Sequence, residues 1–118
     1  MSNLISGNFP ESSYRNLNVQ ITGSVIKAAK GQVFDIHVSN QAAAARYLKF
    51  YDKATAPTAS DTPIRTYALP ATSITALPIS EAGIEFLVGI SIRGTVLIAD
   101  NDNTAPTAND IVVNIGWM

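Results

Sequence analysis

The chain has no cysteine among its 118 residues. That excludes a disulfide framework and any thiolate-based metal or redox site, and it suits folding in a reducing cytoplasm. Charge is scarce too. Only 14% of residues are charged, and eight basic side chains against nine acidic ones leave a net charge of −1; ordinary soluble domains carry roughly 25% charged residues. No basic block occurs, so the electrostatic footprint of a nucleic-acid binder is missing. No apolar run approaches the roughly 20 residues that span a bilayer. The opening MSNLISGNFPESS lacks the basic and apolar regions of a signal peptide. Neither a nucleic acid nor a membrane is therefore expected as a partner. Ala, Thr, Ser and Asn take the place of charge. A small monomer ordinarily spreads charge over its surface to stay soluble; a neutral surface suits a protein covered by partners. The competing reading is a merely neutral monomer.

What the chain does have is strand character. Ile and Val together number 21 against 7 Leu, and branched side chains favour a pleated surface over a helix. Period-two alternation recurs. Leu17, Val19 and Ile21 form one set, and Phe34, Ile36 and Val38 another. Ile84, Phe86, Val88, Ile90 and Ile92 read as one long strand continued by Val96 and Ile98, and Ile111, Val113 and Ile115 close the chain. Lys30-Gly31 reads as a hairpin turn. Asn40 to Lys53 fits either period, since Ala44, Tyr47, Leu48 and Tyr51 have helical spacing. The β context decides for a strand from Arg46 to Asp52, with Leu48 and Phe50 inward and Tyr47, Lys49 and Tyr51 outward. About eight short strands and no long helix predict an all-β fold: a single antiparallel β-sandwich or jelly-roll-like domain over residues 16–118.

Residues 1–15 show no alternation and read as an extended N-terminal arm. Leu4, Ile5, Phe9 and Tyr14 sit there among Ser, Asn, Gly and Pro, as anchors for docking on a neighbour, with packing back on the chain's own sandwich as the competing reading. A seven-residue loop occurs twice, as TAPTASD (Thr55 to Asp61) and TAPTAND (Thr104 to Asp110), with six positions identical. Proline fixes φ and aspartate can start an Asx-turn, so the two loops are expected to share one turn solution at sheet ends.

No catalytic constellation stands out. His37 is the single histidine, no nucleophile elbow accompanies it, and it reads as an outward strand residue. Asp100 and Asp102 start like an EF-hand loop, but the positions for its glycine and final glutamate hold Ala105 and Ile111. A polar turn is the better reading. Glu81 and Glu85 have no spacing that specifies a glycosidase pair. The expectation is a non-enzymatic protein with no cofactor and no metal site. Tyr47 and Tyr51, flanked by Arg46, Lys49 and Lys53, form the more pointed candidate: outward tyrosines can anchor a protein interface or stack on sugars. Ordinary cross-strand pairing with Tyr67 competes with that reading.

The stretch SNQAAAARYLKFYDKATAPTASDTP (Ser39 to Pro63), followed by ADND at residues 99–102 and NDIVVNIG at 109–116, resembles small β-sandwich virion proteins of tailed bacteriophages. The likeness covers residues 22–116. It is fairly specific as sequence and poorly specific as function. The group resembles capsid decoration (cement) proteins, which sit as trimers on the capsid lattice and reinforce it. The resemblance implies a virion location, the major capsid protein as partner and a homo-oligomer; the contact residues expected from the chain's own pattern are Leu4, Ile5, Phe9, Tyr14, Tyr47, Lys49 and Tyr51. The alternative it leaves open is a tail, baseplate or fibre component, with a glycan- or receptor-binding surface. A small hydrolase is the third and weakest reading.

Overall fold

The computed structural model describes residues 12–79 and 82–118. Nine strands run through them: β1 (Ser12–Asn16), β2 (Ser24–Lys27), β3 (Gly31–Asn40), β4 (Arg46–Asp52), β5 (Arg65–Leu69), β6 (Ser73–Leu77), β7 (Ile84–Phe86), β8 (Ile90–Thr95) and β9 (Ile111–Trp117). They form two antiparallel sheets. The first has the order β1-β9-β3-β6, with β7 also paired to β3; the second has the order β2-β8-β4-β5. The all-β sandwich is as the alternation predicts.

The core lies between the sheets and is built by alternate residues. Leu48 and Phe50 of β4, Ile90 and Ile92 of β8, Val33, Ile36 and Val38 of β3, and Ile111, Val113 and Ile115 of β9 are all buried in one cluster. Burying a side chain of this size contributes about 1.5–3 kcal/mol. Tyr67 lies opposite Leu48 rather than Tyr47, so it faces inward, with its ring edge-on to Phe50 at 6.0 Å. The competing reading, cross-strand pairing of Tyr47 with Tyr67, is therefore not what the register gives.

Four further expectations need correction. Ser12–Asn16 is not arm but an edge strand, because it pairs with β9 of its own chain from Ser12↔Trp117 to Asn16↔Val113. The domain thus begins at or before Ser12, not at residue 16. Residues 17–23, whose alternation suggested a strand, form none. They cross from one sheet to the other, with Val19 N–H bonded to the Ile111 carbonyl of the first and the Gln20 carbonyl accepting Gly94 N–H of the second. The long run from Ile84 splits at Leu87–Gly89 into β7 in the first sheet and β8 in the second. Lys30-Gly31 does not close a hairpin, since β2 and β3 belong to different sheets.

Candidate interaction site

The two outer faces of the sandwich differ. On the second sheet, Tyr47, Lys49 and Tyr51 do point away from the core, as their parity requires. Lys49 is nevertheless 0% exposed and Tyr51 1% exposed, and Tyr47 is half-buried. The connections after β4 and β8 fold back over this face. The Lys49 ammonium donates to the Leu97 and Ala99 carbonyls. Arg93, opposite Lys49 on β8 and also 0% exposed, donates from Nε to Ile21 O at 2.8 Å. Its remaining nitrogens reach the Tyr51 hydroxyl at 3.2 Å, Asp102 O at 3.1 Å and Asn103 Oδ1 at 3.0 Å. The tyrosine-lysine face is thus a buried clasp, and Lys49 and Tyr51 are not surface contacts of this chain. Burial pulls the Lys49 ammonium below its ordinary value, and the Arg93 charge pushes the same way, against Asp102 and Asp100.

The covering connections are short and tightly seated. A Cβ at Gly23 would run into Pro57, and one at Gly89 would lie 2.6 Å from Ala54 Cα; only glycine lets the first TAPTA loop lie this close. The Asp52 carboxylate accepts Val88 N–H at 2.7 Å, Leu87 N–H at 3.1 Å and Gly89 N–H at 3.2 Å. Burial alone would raise its pKa, but these three bonds outweigh it and hold the group low. Asp102 behaves alike: burial is outweighed by bonds from Leu97 N–H and from the Thr104 hydroxyl and backbone. Its carboxylate closes the turn after β8, accepting Leu97 N–H at 2.9 Å. Among the described residues no group of three or more His, Cys, Asp or Glu could hold a metal ion.

The repeated loops do share a turn. Asp61 accepts Thr58 N–H at 2.8 Å, and Asp110 accepts Thr107 N–H at 3.0 Å. In both, the aspartate N–H returns to the threonine carbonyl at 3.1 Å. Each carboxylate also binds a cation at one end of β4: Lys53, just after it, with Asp61 at 2.8 Å, and Arg46, its first residue, with Asp110 at 3.0 Å. They differ at the third turn residue, where Asn109 has φ 66° and donates to Leu17 O; Ser60 has no such conformation. An open groove of about 560 Å³ runs where the first loop meets residues 21–23, lined by Thr22, Gly23, Pro57, Thr58, Ser60 and Asn103.

The first sheet is open on its outer side. Arg15, Asn114, His37 and Ala76 lie opposite one another in register across β1, β9, β3 and β6, and all four are exposed. The next row is Val112, Ser39 and Ile74, with Ile74 87% exposed. Tyr14 of β1 points the other way and packs on the core, its hydroxyl accepting Asn16 Nδ2. It is not a free arm anchor. Leu4, Ile5 and Phe9 lie outside the described residues, as does Glu81. Sequence reasoning missed Arg93 and Asp52 as organisers, and missed the open row. Parity gave each residue its side of a sheet but not which side loops would cover.

What the fold and surfaces define is a β-sandwich sealed on one face and open on the other. Comparison with known families, characterised proteins and solved structures found no match to this chain.

Proposed function

We propose that this chain is a non-enzymatic virion structural protein, a capsid decoration protein that binds and stabilises the outside of a phage shell as a homo-oligomer, in a trimeric arrangement. The observation that carries the binding mode is the open face of the first sheet. The row Arg15, Asn114, His37, Ala76 and the exposed Ile74 beside it offer a flat, sparsely charged surface, while the opposite face is sealed. A flat, sparsely charged surface that mixes polar residues with an exposed apolar one is suited to non-obligate protein contact. The capsid as partner rests on the resemblance of Ser39 to Pro63 to phage virion proteins. On the particle, residues 1–11, which continue from edge strand β1, extend the contact with Leu4, Ile5 and Phe9.

The test is the location and copy number of the protein in purified virions, by quantitative mass spectrometry and cryo-electron microscopy. Many copies over the shell, with the β1-β9-β3-β6 face toward the major capsid protein, are expected. A few copies at the tail tip overturn the reading in favour of a tail or fibre component. One observation favours that second reading: the open groove lined by Ile21, Pro57 and Ala59 together with Thr22, Thr58 and Asn103 has the size of a small-ligand site. Tyr47 and Tyr51 do not form a glycan platform, because Tyr51 is buried.

A further inference from the structure

Among the described residues, five strands lie at sheet edges: β1, β6 and β7 in the first sheet, β2 and β5 in the second. An edge strand offers N–H and C=O groups to any passing strand, and proteins blunt such edges with charge, proline, a bulge or shortness. Four of the five are blunted. β1 carries Arg15, β2 carries Lys27 and a register shift, β5 carries Arg65, and β7 has three residues with Glu85 among them. β6 is not. Its five residues, SITAL, pair with β3 without a register shift, and no charged residue occurs from Thr66 to Ser80. No described residue pairs with its outer side. Nor is the strand left to fray. The buried Asn40 donates to the Leu69 and Pro70 carbonyls just ahead of it. Thr72, a branched residue at the uncommon φ of 48°, is pinned by its N–H to the Ala42 carbonyl at 2.9 Å. A strained residue persists only where its surroundings over-determine it, so the edge is presented in one conformation.

We propose that β6 is an interaction edge whose partner is β6 of a second copy, added antiparallel about a twofold axis through Thr75. Only that centre pairs all five residues: Ser73 with Leu77, Ile74 with Ala76, and Thr75 with its own copy. A charge near the centre would meet its own copy, and like charges opposite each other destabilise a strand pair. An uncharged edge is what self-pairing requires; a foreign strand requires no such thing. The fit on the outer face is large to small. Ile74, 87% exposed, comes to lie beside the exposed Ala76 of the second copy. Directly opposite residues share a face, so the open faces of the two copies join into one. A twofold contact cannot close a trimer. It links two chains, or two trimers, and does not rest on the capsid reading.

The absence of cysteine supplies the probe. In the pair the two copies of residue 75 stand opposite, with Cα atoms roughly 4.5–5.5 Å apart, a distance a disulfide spans. The two copies of residue 74 are offset along the strands. Thr75→Cys should therefore crosslink into a dimer under mild oxidation much faster than Ile74→Cys. Crosslinking no faster at 75 than at 74 overturns the proposal. Sedimentation gives a second readout. Ile74→Lys with Ala76→Lys sets like charges opposite each other and should halve the mass of the natural assembly. Ile74→Lys with Ala76→Glu sets opposite charges across the same register and should keep that mass. Both double variants alter only exposed side chains, and circular dichroism checks the fold. Equal masses for the two double variants overturn the register. A natural chain that does not associate as concentration rises overturns the pairing and leaves the edge to a strand of another protein.

Discussion

Lys49 and Arg93 stand directly opposite each other on β4 and β8, both fully buried, and neither touches a carboxylate. Two like charges this close repel, and burial strips both of water. The clasp holds because backbone carbonyls from the covering connections take the place of water around each cation. The two residues are not equivalent in it. Arg93 binds four acceptors drawn from residues 21, 51, 102 and 103. Lys49 binds two carbonyls of exposed residues, Leu97 and Ala99, which solvent can reach.

Arg93→Met should therefore destabilise the fold by about 2–4 kcal/mol, since it orphans several acceptors at once. Lys49→Met should cost less than about 1 kcal/mol, because it also relieves the repulsion and the desolvation of an ammonium. Urea denaturation of the two variants measures this. Equal losses would mean the clasp is shared evenly, against the geometry.

The alkaline flank of stability belongs to Lys49. Its folded pKa lies below the ordinary 10.5, so the unfolded state binds more protons in the interval between the two values. Stability then rises with pH across that interval and levels off above 10.5. The measurement isolates Lys49 as a difference: the chemical-denaturation midpoint of the natural chain minus that of Lys49→Met. The difference should shift in favour of the natural chain as pH rises. A flat difference removes Lys49 as the cause.

The acid flank belongs to the turn carboxylates. Asp52, Asp61 and Asp102 are all held below 3.8 in the fold. Their contribution is fully present above 3.8 and is lost as pH falls through their folded values. Asp61 is held down first by Lys53 and then by Thr58 N–H, against burial. Asp52→Asn should lower stability by about 1–3 kcal/mol at neutral pH, the worth of charge-assisted bonds. It should also flatten the acid loss, read from thermal melts taken through the acid range. An unchanged acid profile would show that Asp52 does not hold the β7–β8 turn.

The repeated loops give a prediction with opposite signs. At residue 109 the backbone is left-handed, so Asn109→Gly should be more stable than Asn109→Ala by about 1 kcal/mol. At residue 60 the backbone is ordinary, and Ser60→Ala should be more stable than Ser60→Gly by a similar amount, ~0.5–1 kcal/mol. The aspartates should differ too. Asp110→Ala breaks a mostly buried pair with Arg46 and should cost about 2–3 kcal/mol, against about 1 kcal/mol for the more exposed Asp61. Urea midpoints decide; matching signs at 60 and 109 would make the loops true copies.

Strand identity was legible where both sides of a segment obey parity. Arg46–Asp52 is a strand with the expected faces, and Ile111–Trp117 likewise. Parity fails where the chain changes sheets. From Ile84 to Ile92 the inward parity survives a sheet crossing, with only Val88 turned out to solvent, so two strands look like one. It fails again at edges: Ser12–Asn16 has a single inward apolar anchor, Tyr14, and reads as arm. The interaction surface was illegible for a different reason. Alternation places Lys49 and Tyr51 outward, and outward reads as exposed. Only the bonds from Lys49 and Arg93 to distant carbonyls show that loops seal that face. Arg93 gives no warning in sequence, because an arginine between Ile92 and Gly94 looks like any solvent-facing strand residue.

The open face carries the last prediction. Ile74 is 87% exposed on edge strand β6, so Ile74→Glu should change stability by no more than about 0.5 kcal/mol. If the β1-β9-β3-β6 face meets a capsid, the same change buries a carboxylate beside Ser39 and Val112 and should abolish binding to particles. Asn114→Glu, one row over, should do the same. Ser60→Glu, in the groove on the opposite face, should leave binding intact. Co-sedimentation of the three variants with capsids lacking the protein is the measurement, and circular dichroism checks the fold. Loss of binding in Ser60→Glu with full binding in Ile74→Glu would reverse the assignment. The partner would then sit on the loop-covered side, and the open sheet would face solvent.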